Sequence, residues 1–160
     1  MIYFTRHGRA DFGDGTLTEK GISDEGRKEL GLIKLKLSNF DFNPQVVVSS
    51  KALRCIQTAC LLGGVREEQC HIVKELGITG SFYGLVGDVD IILNPVISII
   101  SSGLDAVVAC HDSTATVLAL RFIEKTGKRI DWNNIPRELM FLRQSHGLLV
   151  GENDYIYLSP

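Results

Sequence analysis

The sequence predicts an α/β fold, a three-layer α/β/α sandwich with a mostly parallel central sheet and helices on both faces. Three observations carry this reading. Residues 2–5, 46–49 and 106–110 are short apolar runs, and runs of that length read as strands buried on both faces. Segments with helical spacing alternate with them, which is the pattern of a parallel sheet covered by helices. The tail after residue 138 holds short strand-like runs with turns between, which predicts antiparallel additions at one edge.

The elements follow in order. The first strand, 2–5, leads into a Gly- and Asp-rich loop from Gly8 to Ile22. Ser23-Asp24 marks a helix start, and Leu30, Ile33 and Leu37 give that helix an apolar face until it stops near Asn39. Asn43-Pro44 turns the chain into the strand 46–49. A helix from about Lys51 to Leu62 ends at Gly63-Gly64, and His71-Ile72-Val73 forms a short strand. Residues 76–87, with four glycines, read as a loop. Residues 88–101 read as a helix broken or bent at Pro95. The strand 106–110 precedes a helix from Thr114 to Lys125, stopped by Gly127. Residues 139–142, 147–150 and 155–158 read as the strands of the tail.

At 160 residues, the chain is expected to be a single domain, 1–160, with a substantial core. Hydrophobic residues at 44% and charged residues at 22% argue against disorder. A net charge of -2 leaves no footprint for nucleic acid or an acidic membrane. The stretch 91–100 is too short to span a bilayer, and the first residues already read as a strand, so a soluble cytoplasmic chain is expected. Cys55, Cys60, Cys70 and Cys110 form no C-x-x-C pair or zinc spacing. They read as small hydrophobes in a reducing compartment.

The strand ends carry the chemistry. The first strand runs into Arg6-His7-Gly8, the second towards Arg54, and the third into His111. In open α/β sheets ligands bind beyond the carboxyl ends of the strands, so these four basic groups are expected at one edge. Gathering like charges is costly unless an anion occupies the middle. Taken singly, His111 reads as structural and Arg54 as a helix-surface residue; together they point to a phosphate site. His71 and His146 read as surface or turn residues. No G-x-G-x-x-G or Walker loop follows any strand, which excludes a Rossmann-type nucleotide site.

Thr5-Arg6-His7-Gly8 resembles the RHG signature of the histidine phosphatase superfamily, the phosphoglycerate mutase-like fold. Ser49-Ser50, Leu53-Arg54 and Gln57-Thr58-Ala59 are similar to its S-S-x-x-x-R-x-x-Q-T-A segment. Ile22 to Arg27 resembles the helix start that lies between these two motifs. Residues 107–111 resemble the strand that delivers its second histidine. The compact size and element order resemble the small bacterial phosphohistidine phosphatases.

That resemblance implies roles. His7 would be the nucleophile, its second nitrogen holding a proton by donating to a backbone carbonyl. Arg6 and Arg54 would grip phosphate oxygens in bidentate fashion, and His111, if protonated, would add a third positive donor. Gly8 would keep space for the phosphoryl group, and Asp112 would orient His111 or lower the local positive potential. No metal or other cofactor is implied, because these four groups already neutralise the phosphoryl charge. The general acid stays open: Glu75 stands at the corresponding position, Asp112 is its rival, and good leaving groups need none. Arg9 reads as a solvated loop charge, Ser50 as the cap of the following helix, and Ser113 or Thr114 as a cap after His111.

Only thirty-five residues separate Glu75 from His111, with no obvious insertion, which predicts an open, shallow site. The expected function is a metal-independent phosphatase working through a phosphohistidine intermediate, with a phosphorylated protein or a small phosphorylated metabolite as partner. Alternatives are a phosphomonoesterase or mutase, or a non-catalytic phosphate-binding module. The oligomeric state is not legible.

Overall fold

Each of the three apolar runs forms a strand, and the alternation of side chains along them divides the core in two. The computed structural model describes residues 1–10, 20–100, 103–151 and 154–160. Strands β1 (Ile2–Arg6), β2 (Val46–Ser49), β3 (His71–Ile72), β4 (Ala106–Cys110), β5 (Gly147–Val150) and β6 (Tyr155–Leu158) form one sheet in the order β3-β2-β4-β1-β5-β6. The first four are parallel, and β5 and β6 add antiparallel to the β1 edge. Ile2, Phe4, Val48, Ala106 and Val108 point to one face; Tyr3, Val47, Val107 and Ala109 point to the other. The continuous apolar runs follow directly from this two-sided burial.

Helices α1 (Asp24–Ser38) and α2 (Leu53–Gly63) cover the second face. Ser23 caps α1 by accepting from the Gly26 amide at 3.1 Å, and Leu30, Ile33 and Leu37 form its buried stripe, as their spacing predicts. Gly64 closes α2 in the left-handed conformation, with φ of 68°.

Helices α3 (Phe82–Ile99) and α4 (Asp112–Lys125) cover the first face. Here two expectations fail. Residues 82–87 are helical rather than loop, and α3 passes through Pro95 unbroken. The stripe Phe82, Leu85, Val89, Ile92, Leu93 and Val96 buries against the core on both sides of the proline. That burial outweighs two glycines and one lost backbone bond. Eighteen residues of this composition are long enough to cross a membrane, but the fold spends the helix as a core layer. The tail differs as well: residues 139–142 are not a strand, because Arg137–Met140 forms a short helix, α5, that packs on α4. Of the 8–22 loop, residues 11–19 lie outside the described residues, as does Ser101 at the end of the expected 88–101 helix.

Candidate active site

Strand register brings the two histidines together. Arg6 pairs with Cys110 across β1 and β4, so the next residues, His7 and His111, leave adjacent strands side by side. The ladder continues one step further, with the His7 amide donating to the Cys110 carbonyl at 3.0 Å. The rings meet edge to face, with centroids 5.6 Å apart. Beyond β2, the Ser50 amide donates to the Ala109 carbonyl at 3.1 Å, which carries the second motif to the same edge.

His7 is buried, and its Nδ1 lies 2.8 Å from the Gly8 carbonyl oxygen. A carbonyl only accepts, so Nδ1 holds the proton and Nε2 keeps its lone pair. Burial lowers the His7 pKa to about 3, against the opposing pull of the Gly8 bond, with the charges of Arg54, His111 and Arg6 pushing it further down. The ring is neutral and nucleophilic over the physiological range.

The condition placed on His111, that it be protonated, is not met by the fold alone. Burial, then Arg54 and Arg6, lower its pKa to about 4, so without an anion it is neutral. Its Nε2 sits 3.2 Å from Ser50 Oγ and 3.8 Å from Cys55 Sγ. Ser50 therefore serves His111; the N-cap residue of α2 is Ala52, without a side-chain bond. Burial pushes the Cys55 thiol up to about 11, so it stands protonated in the wall of the site.

Arg6 and Arg54 both act electrostatically on both imidazoles. Arg6 is held by an Nη1 bond to the Leu142 carbonyl at 2.6 Å, while its Nε is buried without a partner. Asp112 opens α4, with Oδ2 3.6 Å from Arg6 Nη1 and Oδ1 buried and unpartnered. Burial raises its pKa, with Arg6 pulling the other way. A guanidinium nitrogen and a carboxyl oxygen both buried without partners mark the contact between Arg6 and Asp112 as a place where polar groups are not fully satisfied.

Helix α4 starts two residues earlier than expected, so its first amides follow His111 directly and favour negative charge there. Neither Ser113 nor Thr114 caps it: their hydroxyls donate to the Met140 and Ile78 carbonyls. Glu75 lies half-buried in a 3-10 turn just past β3, at the same carboxyl edge of the sheet.

The fold itself also holds Gly8 small. A Cβ there would meet Leu30 Cδ1 at 2.8 Å, and the Gly8 amide is already taken by Thr58 Oγ1 at 2.8 Å. Thr58 and Gln57, whose Oε1 accepts the Ile22 amide at 2.9 Å, are positioning residues that tie α2 to the loop after β1. Their polarity on the inner side of a helix was the available signal. Arg9 is an exposed loop charge, as expected, and it is paired: it bridges to Glu25 at 3.0 Å and Glu29 at 3.2 Å. His146 lies in a turn, as expected, with Nδ1 against the Tyr157 hydroxyl, and His71 is exposed on β3. Among the described residues no group of three His, Cys, Asp or Glu side chains is placed to hold a metal.

The sequence profile of the histidine phosphatase superfamily (branch 1) matches residues 2–77. No curated protein matches the chain by sequence. Solved structures share the fold over nearly its whole length. One is the protein histidine phosphatase SixA complexed with tungstate, at 16% identity and a TM-score of 0.59, covering 98% of this chain and 93% of that one. Another is a SixA-type protein from Agrobacterium tumefaciens, at 18% and 0.63, covering 99% and 97%. A mycobacterial glucosyl-3-phosphoglycerate phosphatase matches at 14% and 0.61, covering 99% and 96%.

Proposed function

We propose that the chain is a phosphatase of the histidine phosphatase superfamily, whose profile matches residues 2–77, and that it transfers the phosphoryl group to His7 and then to water. The observation that carries this is the 2.8 Å contact between His7 Nδ1 and the Gly8 carbonyl, which leaves Nε2 free beside His111 and two arginines. Nε2 attacks phosphorus as the bond to the leaving group breaks. Arg6 and Arg54 hold the equatorial oxygens, and the first turn of α4 adds its dipole. Water then cleaves the phosphohistidine, releasing phosphate and restoring the neutral ring. No step requires a metal.

The substrate class is a phosphohistidine displayed on a protein. A cleft of about 1040 Å³ opens beside Arg6, wide enough for a protein surface to approach. The leaving imidazole needs little help from an acid. The fold shared with a protein histidine phosphatase crystallised with tungstate, a phosphate-shaped oxyanion, supports the same reading. A cytoplasmic setting fits such a substrate and four free cysteines. A second reading, a small phosphomonoester, is favoured by one observation: the raised pKa of Asp112, which suits it to protonate an alkoxide. Glu75 is the other carboxyl at this edge.

The test is hydrolysis of an aryl phosphate and of histidine-phosphorylated protein by the wild-type chain and by His7→Ala. Turnover that disappears in the variant, with acid-quenched label on residue 7, is expected. Equal background rates in both would leave a phosphate-binding module instead.

A further inference from the structure

The cleft beside Arg6 is walled on one side by the start of α1 and on the other by the turn 142–146. Three arginines line it: Arg6, Arg9 and Arg143. Arg9 spends its charge on Glu25 and Glu29. Arg6 is committed to the Leu142 carbonyl, to Asp112 and to the phosphoryl group. Arg143 is exposed and makes no ion pair with any described residue.

The turn that carries Arg143 is bonded to Arg6 and His7 through three of its residues, Leu142, Ser145 and His146. The Leu142 carbonyl accepts from Arg6, the Ser145 amide donates to the His7 carbonyl at 3.1 Å, and the His146 carbonyl accepts the Arg6 amide at 3.0 Å. Ser145 Oγ donates to Glu29 at 2.7 Å. Ser145 holds φ at 65°, a conformation that costs a non-glycine residue about 1 kcal/mol and persists only where surroundings enforce it. A cation with no ion pair among the described residues is thus carried on a turn bonded to Arg6 and His7. On the opposite wall Arg9 offsets only one of the two charges of Glu25 and Glu29, and Asp24 adds a third carboxylate, so the start of α1 repels anions towards the Arg143 side.

Resting on the phosphatase reading above, we propose that Arg143 is a second anion subsite and that the preferred substrate carries a carboxylate flanking its phosphoryl group. That carboxylate is an acidic side chain beside a phosphohistidine, or the acid group of a small phosphorylated metabolite; the recognition chemistry is the same. Guanidinium and carboxylate meet as a charge-assisted pair, and the turn is already ordered, so little is lost on binding.

The test uses two matched pairs of substrates. One is a phosphohistidine peptide with Glu or Gln beside the phosphorylated residue; the other is 3-carboxyphenyl phosphate against phenyl phosphate. The wild-type chain should favour the carboxylate member of one pair by about tenfold, mainly through KM. Arg143→Gln should bring that ratio close to one, and Arg143→Lys should restore part of it. Which pair shows the preference assigns the source. A ratio unchanged by Arg143→Gln, or no carboxylate preference in the wild type, overturns the proposal. Calorimetric binding of the same compounds to His7→Asn, with and without Arg143→Gln, reads the subsite without turnover. A preference there with no hydrolysis by wild type would sink the phosphatase reading alone.

Discussion

Thr58 Oγ1 accepts the Gly8 amide hydrogen at 2.8 Å while giving its own hydrogen to the Arg54 carbonyl at 2.7 Å. One buried hydroxyl therefore joins the loop that follows His7 to the helix turn that carries Arg54. Thr58→Val keeps the shape but strands the buried Gly8 amide. The expected cost is about 1–3 kcal/mol of stability, together with weaker inhibition by vanadate. Thr58→Ser should retain both. Urea unfolding and vanadate titration of the three proteins check this, and wild-type values for Thr58→Val would contradict it.

Helix α1 offers an internal comparison. A Cβ on Gly26 would lie 2.4 Å from the Arg9 backbone oxygen, whereas one on Gly31 meets nothing within 4 Å. Alanine at either site gains helix propensity, worth about 1 kcal/mol. At Gly31 that gain is expected in full. At Gly26 the clash is with backbone that cannot step aside, so Gly26→Ala should destabilise and lower turnover by displacing the segment after His7. Thermal melts of the two variants should move in opposite directions from wild type, and aryl phosphate hydrolysis should fall in Gly26→Ala alone.

The ease of reading this chain varied with how local the signal was. Strand runs such as 46–49 and 106–110 were legible because burial on both faces forbids polar residues. Arg6, His7, Arg54 and His111 were legible because each stands just past such a run or in a named motif. What was hidden depended on tertiary partners. Phe82, Leu85 and Val89 carried a helical stripe after Ser81, whose Oγ accepts the Gly84 amide, but the glycines between them obscured it. The neutral state of His111 depends on burial and on arginines distant in sequence, which no local pattern encodes. The fixed turn at Arg143 was likewise out of reach, since its bonds run to β1 and α1.

Asp112 can be separated from Glu75 by the leaving group. If the raised carboxyl of Asp112 supplies the proton, Asp112→Asn should lose rate steeply with alkyl phosphates, by about 10²–10⁴-fold, and far less with p-nitrophenyl phosphate. The slope of log kcat/KM against leaving-group pKa should therefore become more negative. Glu75→Gln should leave the slope alone. A steepened slope in Glu75→Gln with none in Asp112→Asn would transfer the role to Glu75.

Acid sensitivity should trace to the two histidines. Their folded-state pKa values, about 3 for His7 and about 4 for His111, lie below the ordinary 6.5, so the unfolded chain binds more protons in the window between. The stability they contribute is fully present above pH 6.5 and is lost as the pH falls towards those lower values. From pH 6.5 to 5 each histidine should cost about 2 kcal/mol. Asp90, held down to about 2 by Arg121, does not titrate in this window. Denaturant unfolding at half-unit pH steps should show wild type losing stability over this window, and His7→Asn losing it with roughly half the slope. Tungstate should oppose the loss, because an oxyanion between the rings favours a protonated His111. Parallel slopes for wild type and His7→Asn would mean that residue 7 is not held neutral by the fold.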